Sequence, residues 1–95
     1  MTKTISIIGL GKLGSCMAAV YASKGYHVIG VDLNPATVMA VNEGRAPVSE
    51  TGLQALFTQN HERIEATADT QEAVRGSDLT FIIVPTPSLA DGSFS

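Results

Sequence analysis

Three glycines, Gly9, Gly11 and Gly14, fall within "SIIGLGKLGSC", residues 6–16, directly behind an apolar run. Asp32 stands 18 residues beyond the last of them. Glycines at G-x-G-x-x-G spacing suit a backbone that must approach a phosphate. The first permits a tight turn, the second leaves no Cβ in the way of a ligand, and the third lets a helix pack closely on a strand. Lys12 and Leu13 then lie in the opening turn of that helix, where free N–H groups and the positive end of the dipole hold a pyrophosphate. A carboxylate at Asp32 is spaced to accept hydrogen bonds from ribose hydroxyls. Its charge repels a 2′-phosphate, and Leu33, Asn34 and Pro35 supply no cation to hold one. NAD is therefore expected over NADP.

The remaining candidates carry less chemistry. Cys16, the single cysteine, sits in the same helix. A helix N-terminus can favour a thiolate, but His27 and His61 belong to later elements, and a free cysteine facing a sheet behaves as a small hydrophobe. It reads as structural. No His, Cys, Asp and Glu residues recur at metal-ligand spacing. Glu62, Glu65 and Glu72 read as surface charges, and both histidines as solvated. Thr86, flanked by Pro85 and Pro87, is different, because it follows the carboxyl end of an apolar run. Ligands of open α/β sheets bind outside such ends. Pro85 and Thr86 therefore join Gly9, Gly11, Lys12, Leu13, Gly14 and Asp32 as expected cofactor-binding residues.

A glycine motif means little without the elements that hold it. "TISIIG", residues 4–9, is a β-branched run ended by glycine and predicts a buried strand. Leu13, Met17, Val20 and Tyr21 recur at helical spacing up to Gly25, a helix terminator. "HVIGVD", residues 27–32, predicts a second strand. Asn34 and Pro35 open a helix that ends at Gly44. "RAPVSETG", residues 45–52, has the composition of a loop, and Leu53, Leu56 and Phe57 mark a short helix after it. A weaker strand is predicted over residues 63–69, and Asp69 with Glu72 resembles a capping box for a short helix ending near Gly76. "LTFIIV", residues 79–84, is the most apolar strand. Apolar strands alternating with helices indicate an α/β fold: a doubly wound, Rossmann-type parallel sheet, here its N-terminal four strands with helices on both faces.

Composition agrees with one small folded unit. The chain has 95 residues, 44% of them hydrophobic and 16% charged, and a net charge of −3. With no basic cluster, nucleic acid is not an expected partner. No apolar stretch approaches the ~20 residues of a membrane span, and one cysteine makes no disulfide framework. A soluble cytoplasmic protein without membrane contact is expected. "VPTPSLADGSFS" follows the last strand with no closing element, which suggests a fragment: an NAD-binding domain over residues 1–95, cut before its second half, with the catalytic domain elsewhere.

Three segments, "ISIIGLGKLG", "VIGVDLNPATVMAVNEGRAPVSETGL" and "DLTFIIVPTPSLADGS", together resemble the N-terminal NAD-binding domain of the UDP-glucose/GDP-mannose dehydrogenase family. The Val84–Pro87 segment and the Asp-x-Asn segment from Asp32 are its most specific parts. The resemblance implies an enzyme that oxidises the C6 alcohol of UDP-glucose, or a related UDP or GDP sugar, to the carboxylate in two NAD-dependent steps. It also implies a catalytic cysteine in a downstream domain, and Cys16 is not that residue. Gly9, Gly11 and Gly14 would hold the pyrophosphate, Asp32 the ribose, and Thr86 would line the site toward the nicotinamide. Glu50 and Gly52 match a Glu-Pro-Gly-Leu loop of the family, with Thr51 where proline is usual. Lys12 replaces the usual aromatic residue.

Two alternatives stay open on the residues themselves: the cofactor domain of a 6-phosphogluconate or 3-hydroxyacyl type dehydrogenase, and a stand-alone NAD-binding module. The Pro-Thr-Pro turn counts against the first. A homo-oligomer is expected of the parent protein. The isolated chain should lack dehydrogenase activity and self-associate through the strand Leu79–Val84, left with an open edge.

Overall fold

The computed structural model describes residues 3–83. In chain order the elements are β1 (Thr4–Ile8), α1 (Lys12–Ser23), β2 (His27–Val31), α2 (Pro35–Asn42), α3 (Leu53–Gln59), a 3-10 turn (His61–Arg63), β3 (Ile64–Thr67), α4 (Thr70–Arg75) and β4 (Leu79–Ile82). This is the predicted alternation, with strand ends a residue or more shorter. The four strands form one parallel sheet in the order β3-β2-β1-β4. The chain winds outward from β1 to β3, then crosses back to lay β4 on the other side of β1. The order reverses between β1 and β4, the switch point at which such sheets bind ligands.

Side chains alternate between the two faces. Ile5, Ile7, Val28, Ile64 and Ala66 pack with α1 and with Val41, Leu53 and Phe57 of the following helices. Ile29 and Val31 face the other way, onto Ala73 of α4. Helices therefore cover both faces. The helix boundaries follow from caps: Asn34 Oδ1 accepts the Ala36 N–H at 2.9 Å with Pro35 in the first turn. Asp69 Oδ1 likewise accepts the Glu72 N–H at 3.1 Å.

The face that α1 buries differs from the spacing of its large apolar residues. Leu13 and Val20 are exposed, whereas Gly14, Ser15, Ala18, Ala19 and Ala22 are buried. Small residues bring the helix axis close to the sheet, and the large ones flank the contact. Ser15, buried among them, is satisfied by donating from Oγ to the Leu10 carbonyl at 2.9 Å.

Polar side chains fix both sides of the sheet. On β3, the Asn42 amide donates to the Ala66 carbonyl at 2.9 Å and accepts the Ala66 N–H at 2.8 Å. It thereby occupies backbone groups of an edge strand that would otherwise be free to pair with another chain. On the opposite side, the fully buried Ser6 hydroxyl bonds to those of Ser77 at 2.9 Å and Thr80 at 2.7 Å. Asp78 closes the start of the same pairing: its carboxylate accepts the Thr4 N–H at 2.8 Å, and its own N–H reaches the Thr4 carbonyl at 2.7 Å. Leu79 and Ile82 of β4 are exposed.

Candidate functional site

The carboxyl ends of β1, β2 and β4 open into a cleft of about 760 Å³ at the switch point. Its walls include Ile8, Gly9, Gly11, Lys12, Leu13 and Asp32. Five of the expected cofactor residues thus meet in one place. Gly14, the sixth, lies just beneath, as a packing residue. Pro85 and Thr86 lie outside the described residues.

The three glycines have three different surroundings. Gly9 adopts φ +104°, a left-handed conformation open chiefly to glycine, and a Cβ there would collide with the Ile83 carbonyl oxygen. It turns the chain at the seam where Ile83 N–H pairs with the Ile8 carbonyl at 2.8 Å. A Cβ on Gly14 would overlap the Gly9 carbonyl oxygen, so this glycine seats α1 on the end of β1. Around Gly11 nothing lies within 4 Å of where a Cβ would stand. Protein packing gives no reason for glycine at that position. The open space beside the α1 N-terminus does, since an anion there can approach the backbone and its free N–H groups.

Asp32 stands at the rim, one residue past β2. Its Oδ2 accepts the Leu10 N–H at 3.0 Å and its Oδ1 accepts the Asn34 N–H at 2.9 Å. Each oxygen retains acceptor capacity for a ribose hydroxyl. The acid thus has a structural task that spacing did not show: it ties the glycine loop to the end of β2. The signal for half of this was present, because an acid two residues before an asparagine N–H is an Asx-turn pattern. Leu10 is positioned from both ends, its side chain packed on Gly30, where a Cβ would come within 2.6 Å of Leu10 Cδ1.

Further cleft residues escaped the sequence reading. Leu33, 85% exposed, and Thr70, the first residue of α4, line it beside Asp32, and Ile82 and Ile83 line it from β4. The Lys12 ammonium lies 3.2 Å from Glu50 in the 45–52 connection. Cys16, half-buried, packs against the α1 side of the core and is not a cleft residue. His27 lies 3.5 Å from Glu65 across β2 and β3, and His61 Nε2 lies 3.0 Å from the Asn42 carbonyl. Among the described residues no group of three His, Cys, Asp or Glu side chains could hold a metal ion, and no helix is long and apolar enough to cross a membrane.

This arrangement fits a dinucleotide: an open approach to a helix N-terminus for its pyrophosphate, and a rim carboxylate for a ribose. Comparison with known proteins agrees. The chain is 41% identical over 90 residues to a GDP-mannose 6-dehydrogenase of Pseudomonas aeruginosa, a match covering 93% of this chain and 21% of that protein. It is 41% identical over 90 residues to a UDP-glucose 6-dehydrogenase of Haloferax volcanii, covering 94% of this chain and 21% of that one. Among solved structures, a ternary complex of the Pseudomonas aeruginosa GDP-mannose dehydrogenase superposes with a TM-score of 0.86, over 94% of this chain and 21% of that one. A UDP-glucose dehydrogenase from Pyrobaculum islandicum, 35% identical, gives 0.84 over 98% of this chain and 22% of that one. The chain spans about a fifth of the length of these relatives. Residues 3–95 match the model of the family's NAD binding domain, and the chain belongs to the UDP-glucose/GDP-mannose dehydrogenase family.

Proposed function

We propose that the protein carrying this chain oxidises the C6 alcohol of a nucleotide sugar, UDP-glucose or a related UDP or GDP sugar, to the carboxylate in two NAD-dependent steps. The observation that carries this reading is the open space at Gly11, in a cleft that the first residues of α1 and Asp32 also line. The N–H groups of Gly11, Lys12 and Leu13 hold the pyrophosphate, Gly9 and Gly14 shape the turn beneath it, and Asp32 accepts from the adenosine ribose. Bound here, NAD supplies the hydride acceptor. Pro85 and Thr86 are assigned to the same site on their match to the family motif. The names of the relatives supply both sugar classes, a GDP-mannose and a UDP-glucose enzyme at equal identity, so the reading extends to either. We assign the sugar site and the nucleophile to other parts of the protein, and the whole to a homo-oligomer in the cytoplasm.

The test uses the full-length protein, with calorimetric NAD titration and NADH formation followed on UDP-glucose and GDP-mannose separately. The expected result is NAD binding, and two NADH per sugar oxidised on one of the two. NAD binding without turnover on any nucleotide sugar refutes the substrate class, and no NAD binding refutes the reading of the cleft.

A further inference from the structure

Lys12 occupies two settings at once. It is the first residue of α1 and lines the cleft beside Gly11. Its ammonium nevertheless lies 3.2 Å from Glu50 Oε1. Glu50 belongs to the 45–52 connection, where it lines a second hollow of about 360 Å³ together with Pro47, Ser49 and Gln54. The ion pair therefore bridges the two hollows across the N-terminal end of α1. The lysine side chain is 73% exposed and that of Glu50 33%. A pair this open to water is weak and exchangeable, and lysine is a compact charge on a flexible stem that can turn to a new anion.

We propose that Lys12 is a shared cation for which Glu50 and the pyrophosphate of the dinucleotide compete, so that cofactor binding releases Glu50 from the N-terminal end of α1. This rests on the reading that the pyrophosphate docks at the α1 N-terminus. Two anions, a carboxylate and a pyrophosphate, would then lie within reach of one ammonium. The pyrophosphate carries the larger charge and also draws on the helix N–H groups, so it wins the cation. Linkage makes the effect reciprocal: removing the Glu50 charge tightens cofactor binding by the factor with which the cofactor loosens the pair.

The experiment is equilibrium NAD titration at low salt of the full-length protein carrying Glu50→Gln, Lys12→Met or both, with thermal melts as folding controls. Glu50→Gln should tighten NAD binding by about two- to five-fold, the range expected of an exposed pair. Lys12→Met should weaken it by roughly three- to ten-fold through loss of a charge-assisted contact. In the Lys12→Met background Glu50→Gln should have no effect, because the shared cation is gone. Hydrogen exchange gives a second readout: NAD should speed exchange of the amides flanking Glu50 in the unsubstituted protein and not in Lys12→Met. Unchanged or weaker binding by Glu50→Gln overturns the proposal alone, as does an undiminished Glu50→Gln effect in the double variant, which would mean direct repulsion. Failure of the unsubstituted protein to bind NAD overturns this proposal together with the reading of the cleft.

Discussion

Asp32 and Leu10 are joined by a hydrogen bond, the carboxylate Oδ2 accepting the Leu10 N–H at 3.0 Å, while Oδ1 takes the Asn34 N–H at 2.9 Å. The acid to which the proposed function assigns the ribose also ties down the glycine loop. On that proposal, specificity and loop geometry are coupled at one side chain, and substitutions can separate them. The full-length protein should prefer NAD to NADP, each tenfold corresponding to about 1.4 kcal/mol. Asp32→Asn keeps an acceptor for one of the two N–H groups and removes the charge. It should erode the preference at little cost in stability. Asp32→Ser should erode it as well and also lower stability by about 1–2 kcal/mol, since a partly buried N–H loses its partner. Steady-state kinetics with both cofactors and urea titrations measure the two effects. Equal efficiency with NAD and NADP before any substitution would contradict the role of Asp32.

Gly11 and Gly14 should fail in different ways when given a methyl group. Alanine at position 14 would overlap the Gly9 backbone, and backbone cannot give way as a side chain can. The gain in helix propensity is about 1 kcal/mol, against an overpacking cost of about 1–3 kcal/mol or more, so Gly14→Ala should be a net destabilisation. Gly11 has φ −70° and open space around it. Gly11→Ala should melt within a few degrees of the unsubstituted protein yet bind NAD poorly. A Gly11→Ala protein with full NAD affinity would show that the pyrophosphate lies elsewhere.

Cys16 packs against the core beside α1, outside the cleft. In the full-length protein Cys16→Ala should therefore retain turnover and lose at most about 1 kcal/mol through a small packing defect. Loss of activity with unchanged melting would assign the thiol a chemical role.

The order of elements was legible in the sequence because parallel strands buried on both faces are mostly apolar, as in "TISII" and "HVIGV", and because Gly25, Gly44 and the Asn34-Pro35 pair mark helix ends. What stayed hidden depends on pairs distant along the chain. Asn42 bonded to Ala66, Ser6 to Ser77 and Thr80, and Lys12 to Glu50 leave no periodic trace. The buried face of α1 was hidden for another reason. Close approach to the sheet selects alanine, serine and glycine, which periodicity of large residues passes over. Gly9, Gly11 and Gly14 were legible as a motif, but their separate duties, a turn, an approach and a seat, needed the surroundings of each.

The two sides of the sheet differ in how their edges are protected. Asn42 occupies the Ala66 N–H and carbonyl on the β3 side. On the β4 side, Leu79 and Ile82 are 52% and 68% exposed, and β4 is the outermost strand among the described residues. An apolar strand with free backbone groups pairs with other chains, because pairing satisfies the N–H and C=O groups and burial removes apolar surface from water. The isolated 95-residue chain should therefore self-associate in a concentration-dependent manner, read by light scattering. Leu79→Lys should suppress this, since a charge on an edge strand opposes pairing. Leu79 lies at the opposite end of β4 from the cleft, so the lysine should leave the glycine loop undisturbed. A soluble monomer at high concentration before any substitution would show that the β4 edge is protected within the chain itself. Association that survives Leu79→Lys unchanged would move the contact to another surface.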